Sequence, residues 1–178
     1  MSKPQLPDDI LPYRLADQGV QLSGIVSAHK MKRLQADQIE LAEVSVVAQF
    51  KQDEEGRRIV SGQIKTVARL VCQRCLKPMD WPLDVEFCLQ LVSAENQLQS
   101  VPSFLEPWLV PPGVRTDMAG MIEDTLYLEF PMFPMHDPDV CSVRLASARD
   151  DSVLGLDRGN IRPNPFEQLA SLTRRPKK

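Results

Sequence analysis

The central part of the chain alternates apolar and polar residues with a period of two, which is typical of strands with one buried face. In the first run, LAEVSVVAQF at 41–50, the alternating apolar residues are Val44, Val46, Ala48 and Phe50. The turn DEEG at 53–56 leads into a second run at 57–71, where Gly62 predicts a bulge or bend. A third run at 81–92 carries Val85, Phe87, Leu89 and Leu91. The three runs predict an antiparallel meander.

Helical patterns flank these strands. Residues 27–37 predict a short helix capped by Ser27, with Met31 and Leu34 on its apolar face. Residues 117–130, DMAGMIEDTLYLEF, predict one longer helix capped by Thr116 and ended by Pro131. Its apolar stripe is Met118, Met121, Ile122, Leu126 and Phe130. Its acidic residues are assigned mostly to a solvated face, the alternative being an acidic contact surface; they are Asp117, Glu123, Asp124 and Glu129.

These patterns together predict an α+β fold. Its mainly antiparallel sheet forms a meander or a partly closed barrel, with one longer helix, short N-terminal helices and a flexible C-terminal tail. The segment EPWLV at 106–110 predicts an additional short strand. Residues 1–145 are expected to form a single domain, and residues 146–178 a loosely ordered tail.

The tail ends in a segment with its own helix signals. Asn164 is a good N-cap, Pro165 suits the first helical position, and the pattern predicts a short helix over 164–173. Its apolar face is Phe166, Leu169 and Leu172, and the basic end is Arg174, Arg175, Lys177 and Lys178. Residues 161–178 carry a net charge of +4, which leaves −7 on the rest of the chain. We expect an element that docks on RNA or on a protein, the alternative being a helix folded back on the core.

The overall charge of the chain reduces the number of functions to consider. A net charge of −3 and a pI of about 5.4 argue against a sequence-blind nucleic-acid binder, which is normally basic. The N-terminal sequence MSKPQLPDDILPYRL lacks the apolar run of a signal peptide, and no apolar stretch is long enough to span a membrane. We therefore expect a cytoplasmic protein with reduced thiols and no membrane association. In that compartment a Cys-x-x-Cys motif indicates metal or redox chemistry more often than a disulfide.

The motif CQRC places Cys72 and Cys75 three positions apart in a loop between two predicted strands. Redox catalysis by such a pair usually depends on a helix N-terminus that stabilises the thiolate. Here turn and strand residues follow Cys75, which disfavours the redox interpretation. A hairpin tip instead directs both sulfurs at one ion, as in zinc knuckles. Packed free thiols are the remaining alternative.

Two further ligands are available in the loop after the longer helix. His136 and Cys141 have four residues between them, a workable spacing for zinc. The hypothesis is a single structural zinc held by Cys72, Cys75, His136 and Cys141. Four protein ligands close the coordination sphere, so hydrolysis by the metal is not expected. A hairpin that turns near Lys77 places Cys72 opposite Trp81 or Pro82. Cys88 is then predicted to lie on the order of 20 Å from the hairpin tip along the strand, which excludes it as a ligand.

Two cations lie beside the cysteines. Arg74 and Lys77 are predicted to project from the hairpin tip, with Arg57 and Arg58 on a neighbouring turn. They predict a small cationic patch that contacts phosphate in a salt-dependent way, the alternative being scattered surface charges. No catalytic triad, nucleophile elbow or phosphate-binding loop is evident, so a non-enzymatic protein without a small-molecule substrate is expected.

Three stretches in this order resemble the YceD family of large ribosomal RNA subunit accumulation proteins. They are CQRCLKP, MIEDTLYLEFPMFPMHDPDVC and the terminal NPFEQLASL with its basic residues, and LPYRLADQGVQLSGIV fits more loosely. The resemblance implies a bacterial cytoplasmic protein without known enzymatic activity that supports synthesis, processing or stability of 23S ribosomal RNA. Its implied partners are large-subunit RNA, precursor particles or a large-subunit ribosomal protein. The resemblance also implies pairing of the late loop with the first Cys-x-x-Cys, although here that loop has His136 and a single Cys141.

Other function classes stay open from the sequence. One is a cysteine-dependent redox enzyme or a metal-dependent enzyme that processes nucleic acid. Another is a zinc-stabilised protein adaptor that never contacts RNA. An accessory factor tolerates Cys→Ser changes if its fold survives, whereas an enzyme of the first kind loses turnover.

Overall fold

The alternating runs become the strands of a six-stranded sheet, and a separate pair of short strands lies outside it. The computed structural model describes residues 4–143. In chain order the strands are β1 (Asp9–Ile10), β2 (Gln21–Val26), β3 (Glu40–Leu41), β4 (Val44–Gln52), β5 (Arg58–Val71), β6 (Pro78–Val92), β7 (Glu106–Leu109) and β8 (Thr116–Asp117). The helices are α1 (Pro12–Gln18), α2 (Lys32–Ala36) and α3 (Met118–Glu129), with 3₁₀ turns at Ala28–Lys30 and Glu95–Ser100.

The strand order confirms the predicted α+β fold. The main sheet runs β2-β4-β5-β6-β7, with β3 pairing beside the end of β5, and it stays open rather than closing into a barrel. Strands β4, β5 and β6 are antiparallel neighbours, as the meander predicted. Strand β2, which was not predicted, pairs antiparallel with the other side of β4. The segment predicted as an extra strand is β7, but it runs parallel to β6. Strands β1 and β8 form the separate antiparallel pair.

The core lies on the face of the sheet predicted by the alternation. The alternating apolar residues of β4, from Val44 to Phe50, are completely buried, and the alternating residues from Val85 to Leu91 of β6 are buried as well. Helix α3 contributes its predicted stripe, of which Met118, Met121, Ile122 and Leu126 are buried. Phe130 is partly buried and packs edge-on against the ring of Tyr127. Burial of this continuous apolar face is the main favourable term for the fold.

Gly62 is needed for close approach and not for a bulge. The pairing register passes through it without interruption, since Gly62 lies opposite Ala48 on one side and Phe87 on the other. A Cβ atom at this position would lie 2.0 Å from the carbonyl oxygen of Val47. The predicted bulge is therefore wrong, and the glycine is explained by the nearby backbone of β4.

The cap of α3 is one residue later than predicted. Thr116 lies in β8, and the side chain of Asp117 accepts a hydrogen bond of 2.9 Å from the backbone N–H of Ala119. The helix predicted over 27–37 is divided into the 3₁₀ turn and α2, and Ser27 makes no side-chain cap hydrogen bond. Met31, between the two pieces, is nevertheless buried together with Leu34.

Glu123 was wrongly assigned to a solvated face. Glu123 is only 5% exposed to solvent. One carboxylate oxygen accepts hydrogen bonds from the backbone N–H groups of Arg33 and Leu34, at 2.8 and 3.0 Å. The other oxygen is 3.1 Å from Nε of Arg33. Glu123 thus caps the start of α2 from a different helix and satisfies N–H groups that have no partner within α2.

Described residues 4–142 belong to one compact unit, which ends at Ser142. The predicted tail from residue 146, with its helix over 164–173, lies outside the described residues and stays a prediction. Within residues 4–143, no helix is both long enough and apolar enough to cross a membrane.

Candidate metal centre

The hairpin joining β5 to β6 carries Cys72 and Cys75 in a tight turn. The backbone N–H of Cys72 donates to the carbonyl of Lys77 at 3.0 Å, and Leu76 N–H donates to the carbonyl of Cys72 at 2.9 Å. The predicted position of Cys72 opposite Trp81 or Pro82 is wrong. Val71 already pairs with Pro78, so the hairpin turn is shorter than predicted. Leu76 adopts φ 56, a left-handed conformation more often taken by glycine.

The loop after α3 folds against this turn. The carbonyl of Pro134 accepts a 2.8 Å hydrogen bond from the backbone N–H of Gln73. The backbone N–H of His136 lies 3.4 Å from Sγ of Cys72. A second short turn, from Asp137 to Cys141, follows within the loop. The Gln73–Pro134 contact was missed in the sequence because a backbone hydrogen bond leaves no side-chain signature.

The structure brings the four predicted ligand residues together. The sulfur atoms of Cys72, Cys75 and Cys141 and a ring nitrogen of His136 all lie within 4.8 Å of one another. Nδ1 of His136 is 3.3 Å from Sγ of Cys75. Cys72 and Cys141 are buried, while Cys75 and His136 are half-buried. Tetrahedral zinc with Zn–S bonds of about 2.3 Å separates two sulfurs by about 3.8 Å, so the donor set fits this ion.

The electrostatics of the cluster favour thiolates. Burial raises the pKa of Cys72, but hydrogen bonds from the backbone N–H groups of His136, Cys75 and Arg74 outweigh it and lower that pKa to about 5. The pKa of Cys75 is lowered mainly by the backbone N–H of Lys77. The hydrogen bond to Cys72 raises the pKa of His136. Metal ligands must be deprotonated, so the lowered pKa values of the two thiols favour binding of an ion, whereas the raised pKa of His136 opposes it.

Cys88 lies outside the cluster, as predicted. It pairs with Ser61 in the middle of the sheet, ten positions beyond Pro78. At about 3.3 Å per residue that is roughly 33 Å from the hairpin tip, further than the predicted distance. Burial raises the pKa of the Cys88 thiol, in contrast to the two cysteines of the hairpin.

The predicted cationic patch is not assembled as a group of four. Arg74 and Lys77 are in the hairpin tip, where Arg74 is half-buried with Nη2 3.9 Å from the sulfur of Met135, and Lys77 is exposed. Arg57 and Arg58 lie at the opposite end of β5, so they are not on a neighbouring turn. Arg57 pairs with Asp53 and Glu55, and Arg58 pairs with Asp17.

The predicted docking residues of the tail lie outside the described residues. They are Phe166, Leu169, Leu172, Arg174, Arg175, Lys177 and Lys178. Their role therefore stays a prediction.

The fold and the cluster define an α+β protein with a Cys₃His group formed between a long hairpin and the loop after its main helix. The chain belongs to the YceD family: the family model described as "Large ribosomal RNA subunit accumulation protein YceD" matches residues 60–173. A protein of that name from Haemophilus influenzae is 29% identical over 175 residues, covering 97% of this chain and 98% of the relative. No solved structure matches the chain.

Proposed function

We propose that the protein supports the accumulation of 23S ribosomal RNA during biogenesis of the large ribosomal subunit. The observation that carries this proposal is its similarity, over nearly the whole chain, to a protein named for accumulation of large ribosomal subunit RNA. The family match also includes the hairpin, the late loop and most of the C-terminal segment. The protein would act in the cytoplasm, where ribosomal subunits are assembled.

The action proposed is non-enzymatic. The four side chains of the cluster supply a complete tetrahedral donor set, which leaves no coordination position for a reacting water. A bound zinc would therefore tie the β5–β6 hairpin to the loop after α3. The alternative functions are a cysteine-dependent redox enzyme and a metal-dependent enzyme that processes nucleic acid, and both require an open or reactive site.

The zinc itself is part of this proposal. Cys72, Cys75, His136 and Cys141 would hold one structural ion, with thiolates as the main ligands. The backbone contacts from Gln73 to Pro134 and from His136 to Cys72 hold the two halves of the cluster in place. The ion would supply cross-linking between distant parts of the chain and no reaction chemistry.

Association with the large subunit needs an element that overcomes the negative charge of the rest of the chain. We assign this role to residues 164–178. Phe166, Leu169 and Leu172 would contact a large-subunit ribosomal protein, while the four terminal cations would neutralise nearby phosphate. Arg74 and Lys77 at the hairpin tip are a second, smaller candidate contact with phosphate. A zinc-stabilised adaptor that contacts only protein is the other possibility, and the acidic charge of residues 1–160 favours it.

The test measures ribosomal RNA levels in a strain that lacks the gene and compares them with those in the same strain expressing the protein. Expression of the protein should restore the ratio of 23S RNA to small-subunit RNA, and the protein should co-sediment with large-subunit precursors. Purified protein incubated with ribosomal RNA should leave the length of the RNA unchanged. An unchanged ratio in the deleted strain would contradict the proposed role, and cleavage or modification of the RNA would support an enzyme instead.

A further inference from the structure

Strand β6 has an unpaired edge in the middle of its length. Its partner on one side is β5, which pairs with it from Pro78 to Gln90. On the other side β7 pairs only with Leu89–Val92. No other strand of residues 4–143 lies against this edge, so the backbone groups of Pro78–Cys88 that point away from β5 have no strand partner. Such an edge is a template for an added strand.

The two halves of this edge differ in how well they can pair with an added strand. Pro78 and Pro82 lack backbone N–H groups, which protects the half nearest the hairpin tip from pairing. Residues 83–88 contain no proline and leave six consecutive residues available. The chain before β7 turns away from the edge, since Leu105 N–H donates back to the carbonyl of Pro102. The residues just before β7 therefore do not continue it as a strand along this edge.

A groove with a volume of about 460 Å³ lies against the same part of β6. Glu86, Phe87 and Cys88 of β6 line it together with the neighbouring residues Ser61 and Gly62 of β5. The remaining lining residues are Phe104 before β7, Glu106 at its start, and Thr125, Leu128 and Glu129 of α3. Two apolar side chains of the groove are strongly exposed, Phe104 at 71% and Leu128 at 74%. Apolar side chains of this size exposed around a groove are typical of a protein interaction site.

The charge of the groove selects the kind of partner. Glu86, Glu106 and Glu129 line it, all three are exposed, and none forms an ion pair within the described part of the chain. Two cations are in the vicinity. Arg57 lies over the ring of Phe104, but it is already paired with Asp53 and Glu55. The other cation is Lys51, whose charge opposes the rise in the pKa of the Cys88 thiol. The unpaired carboxylates favour a cationic ligand and repel phosphate.

We propose that this groove binds an extended lysine- or arginine-rich segment of another protein, which adds as a strand to residues 83–88 of β6. Backbone hydrogen bonds to the open edge supply the register. Apolar side chains of the segment contact Phe104 and Leu128, and its cations lie beside Glu86, Glu106 and Glu129. None of the residues that line this groove is a proposed metal ligand or belongs to residues 164–178, so the inference holds whether or not the proposed RNA role does.

The probe is a short fluorescent peptide in which lysine alternates with valine, added to the full-length protein at low ionic strength. Anisotropy should report saturable binding. Replacing the peptide's lysines by glutamate should abolish that binding, and so should N-methylation of alternate backbone nitrogens. Amide hydrogen exchange within residues 83–88 should slow in the complex, because strand addition protects backbone N–H groups.

A matched pair of variants tests the role of the groove. Combining Glu86→Gln, Glu106→Gln and Glu129→Gln should weaken peptide binding about tenfold, the sum of three charge contacts of roughly 0.5 kcal/mol each. Combining Glu40→Gln, Glu54→Gln and Glu95→Gln changes the net charge equally at exposed positions outside the groove and should leave binding unchanged. Equal weakening by both sets, unslowed exchange at 83–88, or preference of the groove for a single-stranded RNA over the peptide would overturn the proposal.

Discussion

The side chain of Glu123 accepts a hydrogen bond from the backbone N–H of Leu34 at 3.0 Å, across 89 positions of sequence. The same oxygen accepts from Arg33 N–H, so one buried carboxylate completes the first turn of α2. Helices this short are not stable alone, and α2 therefore depends on a partner supplied by α3.

Replacing Glu123 by alanine should lower the free energy of unfolding by about 2–3 kcal/mol, because two backbone N–H groups lose their acceptor in a buried position. Urea unfolding followed by circular dichroism measures the change. Asp124→Ala is the matched control. Asp124 also pairs with Arg33 but is exposed, so its loss should cost less than about 0.5 kcal/mol. Equal effects of the two substitutions would contradict the capping role.

Glu123 also shows where the sequence pattern stops being informative. The period of α3 predicted its buried stripe correctly, because apolar spacing is a local property. The same rule assigned the acidic residues mostly to a solvated face, yet the acceptor role of Glu123 depends on two N–H groups about 90 positions away. Only the tertiary contact between α2 and α3 determines that this carboxylate is buried.

For the sheet and the metal cluster, too, some features were predicted from local sequence patterns and others were not. Alternation located β4, β5 and β6, and the predicted ligand set is brought together in the structure. The direction of β7 was not predictable, since a four-residue strand has the same pattern whether it pairs parallel or antiparallel. The hairpin register was misjudged because Leu76 adopts a left-handed conformation that closes a tighter turn than leucine normally allows.

A second stability prediction concerns Gly62. Gly62→Ala should lower the free energy of unfolding by about 2 kcal/mol or more, because its Cβ would clash with the carbonyl oxygen of Val47 in β4. Gly120→Ala is the control within α3. Its nearest neighbour would be Oδ2 of Asp117 at 3.6 Å, and the change should stabilise the protein by about 0.5–1 kcal/mol. Thermal unfolding should separate the two variants in opposite directions, and a neutral Gly62→Ala would exclude the close approach.

The metal hypothesis predicts about one zinc per chain in protein purified under reducing conditions. Cys72→Ser and Cys141→Ser should release the metal and lower the melting temperature, because each removes a buried ligand. Cys88→Ser also removes one thiol but leaves the cluster intact, so it should change neither the metal content nor the melting temperature. Elemental analysis and calorimetry on the same samples provide the measurement. Metal-free protein of unchanged stability would end the hypothesis.

Tyr127 provides a pH-dependent test of the contact between α2 and α3. The hydrogen bond with Asp37, together with burial, raises the pKa of Tyr127 to about 12 from an ordinary value of 10.0. The neutral phenol is thus favoured in the folded state. Its contribution to stability is complete below pH 10 and is lost as pH rises from about 10 to about 12.

Ultraviolet absorbance of tyrosinate follows this titration directly. Tyr13→Phe should be used as the background, because the pKa of Tyr13 is also raised by its burial. In that background Asp37→Asn should lower the midpoint for Tyr127. A midpoint near 10 in both proteins would show that the hydrogen bond is not formed in solution.

The C-terminal segment is tested by truncation after Arg162. The shortened protein should stay folded with its metal content intact, since the four proposed ligands precede residue 142. It should nevertheless bind subunit precursors less well and fail to restore 23S RNA levels. Phe166→Ala should reproduce most of that loss, while neutralising Arg174, Arg175, Lys177 and Lys178 should weaken binding mainly at raised salt. An unstable truncated protein would indicate a core-docking helix, and a fully active one would place recognition elsewhere.

The distance in sequence between the two halves of the metal cluster sets an order of events during synthesis. Cys75 and His136 are 61 positions apart, and Cys72 and His136 are 64 apart. The hairpin, β7 and α3 must leave the ribosome before the last two ligands do. The entropic cost of closing so long a loop falls once the intervening sheet has formed. Capture of the ion would then be the final step of folding, so the metal content of a nascent or purified sample would report the fraction of chains that have completed it.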